Sequence, residues 1–329
     1  MSKSLGTRFR ELILRPEGVL AFGVESVISA KVAALAGQEC IYAGGYAAAG
    51  MKGWPDMGVL TMTEMLEHAR LISRAVSVPV IADIDDGYGS VLNVKRTVSE
   101  FLGTTPVAGL HLEDQKYPKR CGHIAGKAVL GRNEFLGKLR LALKIRDEID
   151  PTRFIIARTD AFGAAGSKKD PVLGGDMEEV VARGVAYLDA GADSVWCEFP
   201  RPDRKSATAF AEGVRRVHPQ AVLSFNVSAS FAWHLEEDVV TQEELNELGY
   251  KFLFTTYPSL LENTRAVYEL AKAFRERGIG AIIELKQKLA GHPMESFMKT
   301  VDVEQYQEME RQYSPDAEDR LKTSEGFKG

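Results

Sequence analysis

The 329-residue sequence is short of cysteine, of long apolar runs and of charge of one sign, and each shortage removes a class of protein. Its three cysteines, Cys40, Cys121 and Cys197, are odd in number and widely spaced, which suits neither a disulfide framework nor a zinc site. Free thiols are expected. No stretch reaches the ~18 apolar residues of a membrane span, and Met1 to Glu11 is polar, without the apolar centre of a signal peptide. No membrane partner is therefore expected, and the expected compartment is the cytoplasm. The net charge is −5, with acids and bases interspersed, so there is neither a basic face for nucleic acid nor a polybasic anchor. Small polar ligands remain as partners. Low-complexity linkers and internal repeats are also absent, and Ser26 to Ala34 lacks the glycine-rich phosphate turn of an open dinucleotide-binding sheet.

What is present is an alternation. Eight short apolar or β-branched runs, Val19 to Glu25, Cys40 to Gly44, Pro79 to Asp85, Gly109 to Asp114, Arg153 to Asp160, Asp193 to Phe199, Ala221 to Val227 and Tyr250 to Thr256, are separated by helical patterns. In those patterns Phe135, Leu139 and Leu143, and likewise Val181, Val185 and Leu188, fall on one helical face. Eight strand and helix pairs predict an α/β fold, a single (β/α)8 barrel of the TIM type. A chain of this length accommodates one such barrel with extensions. The expected organisation is one domain over residues 1–329, with a helical C-terminal extension over 257–329: a helical pattern through Leu260, Val267, Leu270 and Phe274, then Ile279 to Leu289, then a charged tail.

In such barrels the reactive groups sit at the carboxyl ends of the strands. Here those ends carry Tyr42 to Tyr46, Asp83 to Asp86, His111 to Asp114, Arg158 to Asp160, Glu198, Asn226 to Ser230 and Thr255 with Thr256. A purely structural barrel has no reason to aim so many polar groups at one mouth. Asp83 and Asp85 alternate along one strand and share a direction, and Glu113 ends the next. Such carboxylates suit Mg2+, or Mn2+, which keeps waters and takes an anionic substrate in its open positions; ion pairs with Lys119 or Arg158 are the alternative use. Arg158, Asn226, Ser228, Ser230 and Thr256 have the donors of a carboxylate receptor. After the carboxylate-rich strand comes Lys119-Arg120-Cys121-Gly122-His123, a thiol and an imidazole among cations in a glycine-containing stretch. Nearby positive charge of this kind tunes a thiol for chemistry.

Taken together, Ala82-Asp83-Ile84-Asp85-Asp86-Gly87-Tyr88-Gly89, Leu112-Glu113-Asp114-Gln115, Lys119 to His123, Ile156-Ala157-Arg158-Thr159-Asp160, Trp196-Cys197-Glu198 and Phe225 to Trp233 resemble the isocitrate lyase and phosphoenolpyruvate mutase superfamily, from about Phe22 to Thr256. The cysteine in the loop resembles the lyase branch, which implies carbon–carbon cleavage of a di- or tricarboxylate. The resemblance implies Mg2+ held by Asp83, with Asp56, Asp85 and Glu113 directly or through water. It implies Cys121 as general acid, with Lys119, Arg120 and His123 beside it. It implies Tyr42 as base, and Gly44, Gly45, Tyr46, Gly122, Arg158, Glu198, Asn226, Ser228, Ser230 and Thr256 around the substrate. Within the branch, Tyr46, the Asn226 to Ser230 run and Thr256 resemble the isocitrate-cleaving pattern. Arg120 and the short chain lean towards 2-methylisocitrate, and Gly44 replaces a serine usual in both. Dimethylmalate, oxaloacetate and a silent dicarboxylate-binding barrel are further alternatives. The resemblance also implies a homotetramer that exchanges a helix after the eighth strand.

Overall fold

The structure, a computed structural model, describes residues 3–235, 238–324 and 326. Each of the eight predicted runs contains a strand: β1 (Val19–Gly23), β2 (Ile41–Ala43), β3 (Val80–Asp83), β4 (Gly109–Glu113), β5 (Phe154–Thr159), β6 (Ser194–Cys197), β7 (Leu223–Asn226) and β8 (Tyr250–Phe254). They pair in parallel in sequence order, and β8 returns to β1, closing the barrel. Alternation along the strands sorts side chains into two cores. Leu110, Leu112, Ala157 and Val195 point outward against the helices, whereas Tyr42, Ile81, Ile156, Trp196, Phe252 and Phe254 fill the interior. The amino-terminal helix Leu5–Ile13 inserts Phe9 into this interior cluster, edge-on to Phe154 and Phe252 at 5.1 and 5.2 Å. Those apolar residues leave the polar strand ends at the opposite mouth.

Helix starts follow from local chemistry. Thr61 with Glu64, Ser90 with Asn93 and Thr241 with Glu244 form reciprocal capping boxes that satisfy otherwise orphaned N–H groups. The helix Arg132–Ile149 buries the expected face of Phe135, Leu139 and Leu143. The helix Met177–Asp189 packs Val181 and Leu188 of the expected face partly buried against the core, and beside them it buries Val180, Arg183, Gly184 and Tyr187. Within that buried face Arg183 Nη1 and Tyr187 Oη both donate to the buried Asp114 Oδ2, at 2.9 and 2.7 Å. An apolar-period argument cannot register that polar anchor.

The chain divides into two compact units, residues 1–261 and 262–329, so the boundary lies inside the helix Pro258–Arg277 rather than at 257. The first unit is the barrel. The second continues through the helices Ile279–Leu289, Phe297–Thr300, Val303–Tyr313 and Ala317–Thr323. Among the described residues, Pro258–Arg277 buries none of its side chains, leaving Val267, Tyr268 and Phe274 exposed. No helix among them is long and apolar enough to cross a membrane.

Candidate active site

A cleft opens at the carboxyl ends of the strands. Its first wall comes from β2, β3 and the segments that follow them. Asp83 at the end of β3 is fixed by backbone donors: Gly45 N–H reaches its Oδ2 at 2.9 Å and Asp85 N–H its Oδ1 at 2.8 Å. Burial would raise the Asp83 carboxyl, but His111, Lys119 and the Asp85 amide hold it below its usual value. Lys119 Nζ stands 2.5 Å from both Asp56 and Asp85. Three carboxylates thus face one ammonium. The consequence appears at Asp85, which burial, with Asp83 and Asp56 beside it, pushes up to about 7 against the pull of Lys119.

Among the described residues, no group of three or more His, Cys, Asp or Glu is already arranged as a metal shell. The donor set nevertheless fits a hard divalent cation. Asp56, Asp83 and Asp85 offer oxygens, and their charge exceeds that of Lys119 by two when all are ionised. Glu113, at the end of β4, also has a buried Oε1 without a hydrogen-bond partner. Burial, then Asp160 and Asp85, raise its carboxyl well above the ordinary range despite Arg158.

The second wall comes from β5, β6 and β7. Arg158 lies 4.2 Å over the Trp196 ring and spreads its guanidinium among Asp160 at 2.7 Å, Glu113 at 3.2 Å and Glu198 at 3.7 Å. Asn226 Nδ2 donates to Glu198 at 3.2 Å, while Asn226 Oδ1 and Thr256 Oγ1 are buried without hydrogen-bond partners. Both residues line the cleft, so ligand groups are their natural partners. Ser228 Oγ accepts the Ser230 N–H at 3.1 Å, and Ser230 Oγ pairs with Tyr257 Oη at 2.9 Å. Tyr257 stacks on Tyr46 at 4.2 Å, making a flat aromatic side to the cleft.

The loop after β4 closes the gap between the walls. Cys121 N–H donates to Asp56 O at 2.9 Å, and Cys121 Sγ lies 4.0 Å from His123 Nδ1. The other ring nitrogen is 3.0 Å from Glu198. Burial alone would lower His123; the Glu198 carboxylate, helped by Cys121, instead raises it to about 10. The imidazole is therefore a cation at neutral pH. Gly122 is required by close approach, since a Cβ there would lie 2.3 Å from Glu198 Cγ. Gly44 has a similar reason, with a Cβ meeting the Tyr42 ring at 2.5 Å. A side chain at 44 and the present Tyr42 position exclude each other.

Residues 9–275 match the family described as phosphoenolpyruvate phosphomutase. Isocitrate lyase of Haloferax volcanii is 41% identical over 319 residues, 97% of this chain and 89% of its own. The chain belongs to the phosphoenolpyruvate mutase/isocitrate lyase family. Within the family, 2-methylisocitrate lyase of Halalkalibacterium halodurans is 32% identical over 281 residues, 84% of each chain. A crystal structure of 2,3-dimethylmalate lyase superposes with TM-score 0.78 at 28% identity, covering 96% of this chain and 98% of that one. The protein is thus an enzyme of the carbon–carbon lyase type.

For this family member, the structure brings Tyr42, Gly44, Gly45, Tyr46, Asp56, Asp83, Cys121, Gly122, His123, Arg158, Glu198, Asn226, Ser228, Ser230 and Thr256 to one cleft. Asp85, Glu113 and Lys119 are buried beside it. Arg120 is a correction: it does not line the cleft. Its guanidinium instead lies beside Gly126, and its backbone N–H and C=O are held by the Gln115 side chain. Tyr42 also differs from a ready base, because burial and Asp83 raise its phenol well above the ordinary value. Its hydroxyl shares a 2.6 Å hydrogen bond with His111 Nε2. His111, Trp196 and Tyr257 lie outside the set chosen from sequence. The inward alternation of β4 and β6 could have found the first two, whereas Tyr257 lies past its strand and has no such signal.

Proposed function

We propose that the protein is a Mg2+-dependent isocitrate lyase, cleaving isocitrate to succinate and glyoxylate. The observation that carries this reading is the division of one cleft into an acid-rich wall and an Arg158, Asn226 and His123 wall, with Cys121 between them. Asp56, Asp83, Asp85 and Glu113 would hold the ion. When bound, it would stabilise negative charge on the substrate's hydroxyl and carboxylate oxygens. Arg158, His123, Asn226, Ser228, Ser230 and Thr256 bind the succinate half and stabilise its enediolate. In the cleavage, the O–H electron pair forms the glyoxylate carbonyl, and the carbon–carbon pair passes to the succinate half. The Cys121 S–H then gives that carbon its proton.

The hydroxyl proton is assigned to Tyr42 as it passes its own proton to His111. His111 is neutral and so has a free lone pair for that proton, and Asp83, 3.3 Å from the accepting nitrogen, would pair with the imidazolium that forms. The stacked Tyr46 and Tyr257 rings favour a substrate without an additional methyl group. The second reading, 2-methylisocitrate lyase, draws on the 32% identical relative of that name. Separate assays with Mg2+, reading glyoxylate from isocitrate and pyruvate from 2-methylisocitrate, decide between them. Preference for isocitrate is expected, and Tyr46→Ala should move the ratio of kcat/KM values towards the methylated acid by about tenfold or more, the scale of one buried methyl group. Activity only on 2-methylisocitrate would overturn the substrate assignment.

The exposed Val267, Tyr268 and Phe274 support self-association through the helix Pro258–Arg277. The homotetramer with exchanged helices is part of the same proposal, and sedimentation as a monomer in analytical ultracentrifugation would remove it.

A further inference from the structure

Lys127 and Asp160 lie outside the substrate and metal assignments, yet both are buried. Asp160 is fully enclosed at the end of β5, and its carboxylate has two cationic partners. Arg158 grips it with two donors, Nε to Oδ2 at 2.7 Å and Nη2 to Oδ1 at 3.0 Å. Lys127 Nζ reaches Oδ1 at 2.9 Å. The Asp160 backbone is itself fixed, its N–H donating to Asp114 Oδ1 at 3.0 Å, and Asp114 is held by Arg183 and Tyr187. A rigid anchor therefore holds both cations.

Those cations belong to different working parts. Arg158 is the guanidinium of the second wall, whereas Lys127 closes the loop that carries Cys121. Next to Lys127, Gly126 adopts φ +88° and lies beneath the Arg120 guanidinium, so the returning arm of the loop touches the residue preceding Cys121. The outgoing arm is tied elsewhere, by His123 to Glu198 at 3.0 Å. Of the three carboxylates around Arg158, two, Asp160 and Glu198, each also take a cation from the Cys121 loop. Moving either part leaves a buried charge without its partner, which is costly.

We propose that Lys127 and Asp160 are positioning residues that couple the pose of the Cys121 loop to that of Arg158. The coupling deepens the proposed lyase reaction and rests on it for its purpose, although the coupling itself is readable without any substrate. Cys40 and Cys197 are buried, so iodoacetamide on the folded protein reads Cys121. Lys127→Met should alkylate about tenfold faster than wild type, the lower end of what loss of a supporting ion pair does to a site. Lys127→Arg, which retains the charge, should return the rate to within about twofold. Asp160→Asn should lower kcat about a hundredfold with a smaller change in KM, as misplacement of aligned groups does. Should Lys127→Met fail to fold, Lys127→Gln is read in the same way. A wild-type alkylation rate in a folded Lys127 variant, or no recovery in Lys127→Arg, would overturn the coupling. Because alkylation needs no turnover, an enzyme that cleaved a different acid would still give the expected rates.

Discussion

The two walls of the cleft solve the problem of buried charge in opposite ways. On the first, Asp56, Asp83 and Asp85 share the single cation Lys119, and burial together with that imbalance gives Asp85 its high proton affinity. On the second, Asp160 pairs with Arg158 and Lys127 and Glu198 with Arg158 and His123, so no carboxylate of that wall lacks a cation when His123 is protonated. A balanced wall is a fixed receptor; an acid-rich one is suited to recruiting a cation. The difference teaches where the protein is already organised and where a ligand would complete it.

The sharpest way to break this comparison is to disable the group between the walls. Cys121→Ser should reduce kcat for cleavage by about a thousandfold, within the range general acid catalysis contributes. Calorimetric titration should still show succinate binding. Unchanged turnover would remove Cys121 from the reaction and leave the two walls without a common purpose.

A second experiment addresses the acid-rich wall alone. Mg2+ at a hundred times its Kd should stabilise the wild type by about 2.7 kcal/mol, by mass action on the folded state. Asp83→Asn should lose most of that gain, read as the Mg2+-dependent shift in Tm, and chelator should return the wild type to its metal-free melting curve. An equal Mg2+ response in both proteins would show that the charge excess is not a metal site.

A third experiment tests the balanced wall. His123 is raised from the ordinary histidine range to about 10 in the folded protein. Its protonated form therefore contributes stability that is fully present below about 6.5 and is lost as pH rises through about 10. Denaturant unfolding between pH 7 and 10.5 should show this decline in the wild type and a flatter profile in His123→Gln. Parallel profiles would mean that the Glu198 pairing does not set the His123 proton affinity.

Both walls were partly legible in the sequence, for different reasons. The two-residue period of a strand predicts a shared direction for Asp83 and Asp85, but β3 ends at Asp83 and Asp85 adopts φ +47°, so it is the turn after the strand, closed by Asp85 N–H on Asp83 Oδ1, that sets Asp85 against Lys119. The lysine, cysteine and histidine of the 119–123 run are adjacent in the chain. The balanced wall joins residues from β5 to β7 and the loop after β4, and no local pattern says that His123 pairs with Glu198 or that Lys127 reaches Asp160. Arg120 shows the converse, since adjacency to Cys121 suggested a role in the cleft while the turn of the chain carries its side chain towards Gly126.

The sequence alone determined the eight-strand alternation, the polar strand ends and the reactive loop, because each is written in near-neighbour periods and motifs. Tertiary structure decided the Asp114 anchor of the helix Met177–Asp189, the Tyr46 and Tyr257 stack, the Tyr42 and His111 pair and the partners of every buried charge. Proton affinities and ion pairs depend on burial and on distances of a few ångströms between residues remote in the chain, and only closure of the barrel sets those distances.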